Sequence, residues 1–279
     1  MPGQLFLVST PIGNLDDLSP RAVETLRRAA LIVCEDTRVT RKLLDRFEIE
    51  GPTAAFHAHS TEAQLERLLE RLEAGEDLAV VSDAGTPLVS DPGERLVEGA
   101  LARGATVVPI PGASAVLAAL VGSGLRAQPF AFLGFLPRKP KDQREVLGPW
   151  AALDATLVFY EAPTRVGATL SQLATALGAE RPACVARELT KRYENFERGT
   201  LGGLAAKYAE GARGEVVLVV GPPGEDASAP ADEATLETEA RRLLEAGTAP
   251  SEAAKTLAAA FGLRKKQAYA VVLSVSRPD

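Results

Sequence analysis

The chain is short of the residues that carry metal, redox and disulfide chemistry. Among 279 residues there are two cysteines, Cys34 and Cys184, and two histidines, His57 and His59. There is no CxxC, so neither a zinc site nor a disulfide framework is expected. Both cysteines fall in apolar runs and read as small buried hydrophobes in a reducing compartment. His57 and His59 alternate at a predicted strand end, which predicts one packed and one exposed. Aromatics make up 5% of a chain that is 46% hydrophobic, so the core must be built from Ala, Val and Leu. No apolar run is long enough to span a membrane. The start, Met1-Pro2-Gly3-Gln4, has no charged leader or long apolar stretch, so no signal peptide is expected and a cytoplasmic location is. The formal net charge is −6, so overall charge offers no pointer to nucleic acid. GxGxxG is missing too, and with it the dinucleotide fingerprint. No internal repeat is evident.

What the chain does have is alternating strand and helix patterns. Runs at Leu5–Val8, Leu31–Cys34, Ala54–His57, Leu78–Val81 and Thr106–Ile110 read as strands. Helical patterns lie between them. One opens at Ser19-Pro20, one carries Val39, Leu43 and Phe47, and one carries Leu65, Leu68, Leu69 and Leu72. This predicts a mainly parallel α/β unit over 1–122. After Gly122-Ser123-Gly124 the pattern restarts. Strands at Phe130–Leu133, Thr156–Tyr160, Ala183–Arg187 and Val216–Val220 predict a second α/β unit over 123–221. A Pro/Gly-rich linker over 222–233 and a helical region over 234–279 follow. In that region the last two helices are expected to meet at Gly262, in the manner of a helix-turn-helix.

The loops after the strands are the informative part. Ser82-Asp83-Ala84-Gly85-Thr86-Pro87-Leu88-Val89-Ser90-Asp91-Pro92-Gly93 holds two Gly, two Pro, two Asp and two Ser in twelve residues. Gly85 and Gly93 permit close backbone approach or positive φ. Asp91, Pro92 and Glu94 read as N-cap, N1 and N3 of the next helix. Five more polar loops follow strand ends: Thr10–Leu15, Glu35–Arg38, Pro111–Ala115, Tyr160–Arg165 and Arg187–Lys191. In open α/β sheets ligands bind outside the carboxyl ends of strands, so six such loops predict a large cleft shared by both halves. Structural readings stand beside these. Glu35, Asp36 and Arg38 also read as a helix start with a surface ion pair, Glu161 and Arg165 as an i, i+4 pair, and Arg187, Glu188 and Lys191 as a solvated cluster. Local basic clusters occur at Arg138-Lys139-Pro140-Lys141 with Arg144, and at Arg264-Lys265-Lys266.

Taken in order, Thr10-Pro11-Ile12-Gly13-Asn14-Leu15, Glu35-Asp36-Thr37-Arg38, the Ser82–Gly93 loop, Gly134-Phe135-Leu136-Pro137, Tyr160-Glu161-Ala162-Pro163 and Ala186-Arg187-Glu188-Leu189-Thr190-Lys191 closely resemble the ribosomal small-subunit methyltransferase I family. These are 16S rRNA cytidine-2′-O-methyltransferases of the tetrapyrrole methylase superfamily. The chain departs from that pattern at Thr164, where His is expected, and at Ser60, where Asn is usual. The resemblance implies two α/β domains with S-adenosylmethionine (SAM) between them, a homodimer, and a substrate cytidine in 16S rRNA of the small ribosomal subunit. The cofactor residues it suggests are Pro11, Asp83, Gly85, Thr86, Val89, Ser114 and Ala115, with Ala162 from the second half and no metal. Asp83 would take the ammonium or a ribose hydroxyl. Glu35, Arg38, Glu188 and Lys191 are expected on the substrate side, with either a lysine of lowered pKa or a carboxylate assisting the hydroxyl. Two other readings stay open: a methyltransferase acting on a small tetrapyrrole, and a non-enzymatic RNA-binding or assembly protein with a relic cleft.

Overall fold

The computed structural model describes residues 1–223, 233–245, 248–261 and 265–276. Five strands form a first, wholly parallel sheet: β1 (Gln4–Val8), β2 (Leu31–Cys34), β3 (Thr53–Ala55), β4 (Leu78–Val81) and β5 (Thr106–Ile110), in the order β3-β2-β4-β1-β5. Strands buried on both faces need no polar side, and this is why 31–34 and 78–81 read as unbroken apolar runs. Alternate residues divide between two cores. Leu31, Val33, Leu78 and Val80 pack under α3 (Glu62–Glu73) and α4 (Glu94–Ala102). Ile32, Cys34, Ala79 and Val81 pack under α1 (Pro20–Arg28) and α2 (Thr37–Arg46).

Local chemistry starts the helices. Ser19 caps α1 with Pro20 in its first turn, and Thr61 closes a reciprocal capping box with Gln64 on α3. Two details differ from the sequence expectation. On α2 the buried residues are Thr40, Leu43 and Leu44, while Val39 is exposed, because the apolar stripe runs one residue later. The expected Asp91 cap is absent, and α4 begins at Glu94 behind Gly93 at φ 136°. Leu88 and Ser90, both at positive φ, coil the loop and bring the Asp91 carboxyl to the Ser82 hydroxyl instead of to the helix.

The second sheet contains β6 (Phe130–Phe135), β7 (Thr156–Glu161), β8 (Pro182–Arg187), β9 (Asn195–Thr200) and β10 (Val216–Val220), ordered β6-β7-β10-β8-β9. Only the β6–β7 pair is parallel. One face is covered by α6 (Pro140–Leu147), α7 (Val166–Leu177) and α8 (Leu201–Lys207). β9 and α8 escape a sequence reading. Asn195–Thr200 is a largely polar edge strand, and α8 carries Gly202 and Gly203.

The opposite face of this sheet is covered from the first half of the chain. Helix α5 (Ala115–Gly122) sets Val116, Ala119 and Leu120 against Val158, Val217 and Val219, and Ile12 and Leu189 join the same cluster. Phe196 of β9 leaves no room for a side chain at Gly122, and Arg198 donates to the carbonyls of Gly122 (2.6 Å) and Ser123 (2.8 Å). The two sheets are therefore joined by apolar packing as well as by covalent connection.

Beyond them, α9 (Glu233–Glu245), α10 (Pro250–Phe261) and α11 (Lys265–Ser276) share a core that includes Leu236, Ala240, Leu257 and Val272. Most of the expected linker, the Gly262 junction and Arg264 lie outside the described residues.

Leu120 is buried in the cluster that joins the sheets. Leu120→Ala is expected to cost about 2–5 kcal/mol of stability. Equilibrium urea unfolding measures this, and an unchanged midpoint with an unchanged slope would contradict the packing described.

Candidate active site

Parallel pairing puts the carboxyl ends of β1, β2, β4 and β5 on one edge, with their loops. The loops after β1 and β4 are tied together. The Thr10 amide donates to Gly85 O (2.8 Å) and the Gly85 amide to Thr10 O (3.1 Å). The Thr10 hydroxyl donates to Ser82 O, and the Ser9 and Thr86 hydroxyls lie 3.2 Å apart. Gly85 sits at φ 86°, where an added Cβ would press on Ile12 at 3.3 Å. Ser114 caps α5, accepting from the Leu117 amide at the head of the helix that crosses to the second sheet.

From the second sheet come the end of β7 and the start of its antiparallel neighbour β10. Between the two sets lies a cavity of about 450 Å³. Of the residues expected at a cofactor, Gly85, Thr86, Val89, Ser114 and Ala115 line it from the first half and Ala162 lines it from the second. Pro11 and Asp83 do not. Pro11 is buried and its neighbour Ile12 lines the cavity in its place. Asp83 is exposed and accepts a hydrogen bond from the Asp36 amide (3.2 Å), which places it with the loop after β2.

The four expected substrate-side residues fall into two separate pairs. Glu35 lines a small crevice with Ser82 and Asp91, next to the main cavity. Arg38 turns back on Asp36 (Nη2–Oδ2 2.6 Å) with its side chain 88% exposed, and the hydrogen bonds from Arg38 hold the Asp36 carboxyl down at about 2. This is the structural reading of that loop. Asp36 also accepts from the Arg38 amide and caps α2.

Glu188 and Lys191 lie behind the opposite wall. Lys191 Nζ is 3.3 Å from Glu188 Oε1 and 3.0 Å from Glu215 Oε2, and Glu215 itself lines the cavity. Glu188 also accepts from the Glu215 amide, which, with Lys191, holds its carboxyl below the usual range against the opposing effect of burial. Burial pulls the Lys191 ammonium down, but Glu215 and Glu188 outweigh it and the net shift is upward. The expected lysine of lowered pKa is therefore not Lys191. The loop after β1 reaches this pair. The Asn14 amide donates to Thr190 Oγ1 (3.0 Å), and a side chain at Gly13 would collide with Lys191.

Glu161, by contrast, is structural. Its buried carboxylate accepts from the Thr169 hydroxyl and the Ala162 amide and pairs with Arg165 at 3.5 Å. Both histidines are exposed in the turn after β3, which ends at Ala55 before either. No group of three or more metal-ligating side chains occurs among the described residues.

Several wall residues were not foreseen, among them Glu215, Val216, Val217 and Asp91. Glu215 and Val217 are hidden from a sequence reading because they belong to an apolar strand and its approach. Asp91 was read as a cap, yet it lines both the cavity and the crevice. Burial, then the nearby Glu35 charge, push its carboxyl up to about 6, with Asp83 adding to the shift and the Ser82 hydrogen bond opposing it. Tyr160 is raised as well, by burial and then by Asp91.

A folded-state pKa above the unfolded value means that the charged form is disfavoured by folding. The stability contribution is full below the unfolded carboxyl range and is lost as pH rises through about 6. Asp91→Asn removes that penalty. The variant is expected to melt about 2–4 °C above the parent at pH 8, with the gap closing by about pH 4. Thermal unfolding across that range checks this, and a gap independent of pH would rule out the charge as its cause.

Comparison with known proteins bears on the fold and the family. Residues 4–205 match the model of the tetrapyrrole (corrin/porphyrin) methylases. A ribosomal RNA small subunit methyltransferase I from Synechocystis sp. is 45% identical over 275 residues, covering 98% of each chain. Its counterpart from Mesorhizobium japonicum is 48% identical over 253 residues, covering 90% of this chain and 86% of that one. Among solved structures, a uroporphyrin-III C-methyltransferase from Thermus thermophilus complexed with S-adenosyl homocysteine superposes with a TM-score of 0.57 at 22% identity, over 78% of this chain and 97% of that one. The chain belongs to the tetrapyrrole methylase family, and within it to the ribosomal RNA small subunit methyltransferase I family.

Proposed function

We propose that the protein transfers a methyl group from SAM to the ribose 2′-hydroxyl of a cytidine in 16S rRNA of the small ribosomal subunit. The observation that carries this is the cavity itself. It lies between two sheets, is walled by loops from both, and has the volume of a small-molecule site. Its polar and apolar lining suits a cofactor with a charged end and a flat base. Gly85, Thr86, Val89, Ser114, Ala115 and Ala162 would hold it. When bound, the cofactor supplies a sulfonium-linked methyl for in-line displacement by the hydroxyl oxygen.

The chain's own groups then divide the work. Asp91 lines the cavity and has a raised proton affinity, which suits it to accept the hydroxyl proton near neutral pH. Glu35 shares its crevice and raises that affinity. Lys191 stays protonated between Glu188 and Glu215, so it serves as a fixed cation beside the wall and not as a base. Arg38 is exposed at the mouth of the adjoining loop, but its Nε and Nη2 are held by Asp36, so an RNA phosphate would have to share it with that carboxylate.

The remaining expectations form part of the same proposal. The chain is read as two α/β domains over 1–122 and 123–221, a linker over 222–233 and a helical region over 234–279. It is read as a homodimer, supported by Leu117 and Val121, one turn apart on α5 and 52% and 74% exposed. It is placed in the cytoplasm, where ribosomal subunits are found. No described helix is long and apolar enough to cross a membrane.

Incubation of purified small subunits with labelled SAM, followed by mapping of the modified nucleotide, tests the reading. Label on a cytidine ribose is expected; label on a base, or none, contradicts it. Asp91→Asn should lower kcat about 100-fold or more with S-adenosylhomocysteine affinity retained. Gly85→Val should weaken S-adenosylhomocysteine about tenfold or more in calorimetry, because its side chain enters the tied Thr10–Gly85 corner. Parental affinity in that variant would remove this corner from the cofactor site.

A further inference from the structure

Phe135, at the end of β6, is placed unlike the other large apolar side chains of the second sheet. It lines the main cavity, yet it is 55% exposed. The pairing of β6 with β7 becomes irregular between Phe132 and Phe135, and Gly134 adopts φ 63°. Irregularities of this kind re-aim a side chain. The ring is braced from behind. Its centroid is 5.6 Å from that of Tyr160, which in turn packs edge-on against Phe132 at 4.8 Å. A Cβ on Gly134 would come within 3.7 Å of Ser90 Oγ, so this strand end borders the 82–93 loop of the first sheet.

The residues that follow are charged and uncommitted. Arg138 and Lys139 are exposed and form no ion pair among the described residues. The stretch between ring and charges is held firmly. Leu136 is buried, its carbonyl accepts from Arg165 (3.1 Å), and the Pro137 carbonyl accepts from the Gln143 side chain (2.6 Å). Three residues span at most about 11 Å, within reach of one nucleotide.

We propose that this strip is a nucleotide-binding subsite for an RNA strand, with Phe135 as the stacking face for an unstacked base and Arg138 and Lys139 as contacts to its phosphates. The proposal rests on the reading that the substrate is RNA. A ribose hydroxyl can enter a walled cavity only if its nucleotide leaves the surrounding stack. An exposed aromatic at the rim offers a replacement stacking surface. Neighbouring cations neutralise the backbone despite the negative net charge.

The test uses full-length protein, small subunits lacking the modification, and labelled SAM. Phe135→Ala is expected to raise KM for the subunit about tenfold. Phe135→Trp should restore it, and S-adenosylhomocysteine affinity should stay within about twofold of the parent in calorimetry. Replacing Arg138 and Lys139 together with Ala should weaken subunit binding and flatten its salt dependence by about one to two units of slope. Parental KM in Phe135→Ala overturns the stacking role. An equal loss of S-adenosylhomocysteine affinity also overturns it, by making the ring a cofactor wall. An unchanged salt slope overturns the phosphate contacts. If the parent protein itself transfers no methyl to RNA, the underlying reading fails and the subsite with it; activity in the parent separates the two cases.

Discussion

The seating of α5 on the second sheet is the contact on which the site depends. A helix that leaves the first sheet at Ser114 spends its buried side, Val116, Ala119 and Leu120, on strands that arrive more than thirty residues later. Among the described residues no other helix joins that cluster, whose further members include Ile12 and Leu189 from loops. Removing α5 would expose Val158, Val217 and Val219, and the cavity wall begins at those same strands. Arg198 and Phe196 reinforce the connection by fixing the chain at Gly122 and Ser123. The relation between Gly85 and Ala162, on opposite walls, is thus set by packing and not by the length of a tether.

Charge is distributed unevenly around that fixed frame. On one side Glu35, Asp83 and Asp91 crowd together with little compensating positive charge, and the most enclosed of them, Asp91, takes up the strain as a raised proton affinity. On the other side Lys191 is compensated twice, by Glu188 and Glu215. Two environments that push ionisable groups in opposite directions leave one group suited to exchange a proton and one suited to remain a cation. The left-handed backbone at Ser90 and Thr190, which immediately precede Asp91 and Lys191 in the chain, is a local cost retained at both sides of the site.

Much of this is legible in the sequence because the physics is local. Leu31–Cys34 and Leu78–Val81 announce buried parallel strands, Ser19-Pro20 announces a helix start, and the crowding of Gly, Pro and Asp between Ser82 and Gly93 announces a special loop. What stays hidden depends on tertiary contacts. Asp91 has the composition of a cap, but two residues of positive φ before it send its carboxyl to Ser82. Pro11 and Asp83 stand in the expected motifs, yet neither lines the cavity: Pro11 is buried, and Asp83 accepts from the β2 loop. Glu215 and Val217 become wall residues only because β10 runs antiparallel beside β7. β9 has too few apolar residues to be seen as a strand at all.

The central claim is that one ligand is held by both halves at once. Hydrogen–deuterium exchange of the full-length protein, with and without S-adenosylhomocysteine, tests it directly. The account predicts slower exchange both in the loop around Gly85–Val89 and at the β7 end around Tyr160–Ala162, with Ser114–Ala115 protected alongside them. Protection confined to the first-half loops, with the β7 end unchanged at saturating ligand, would contradict it.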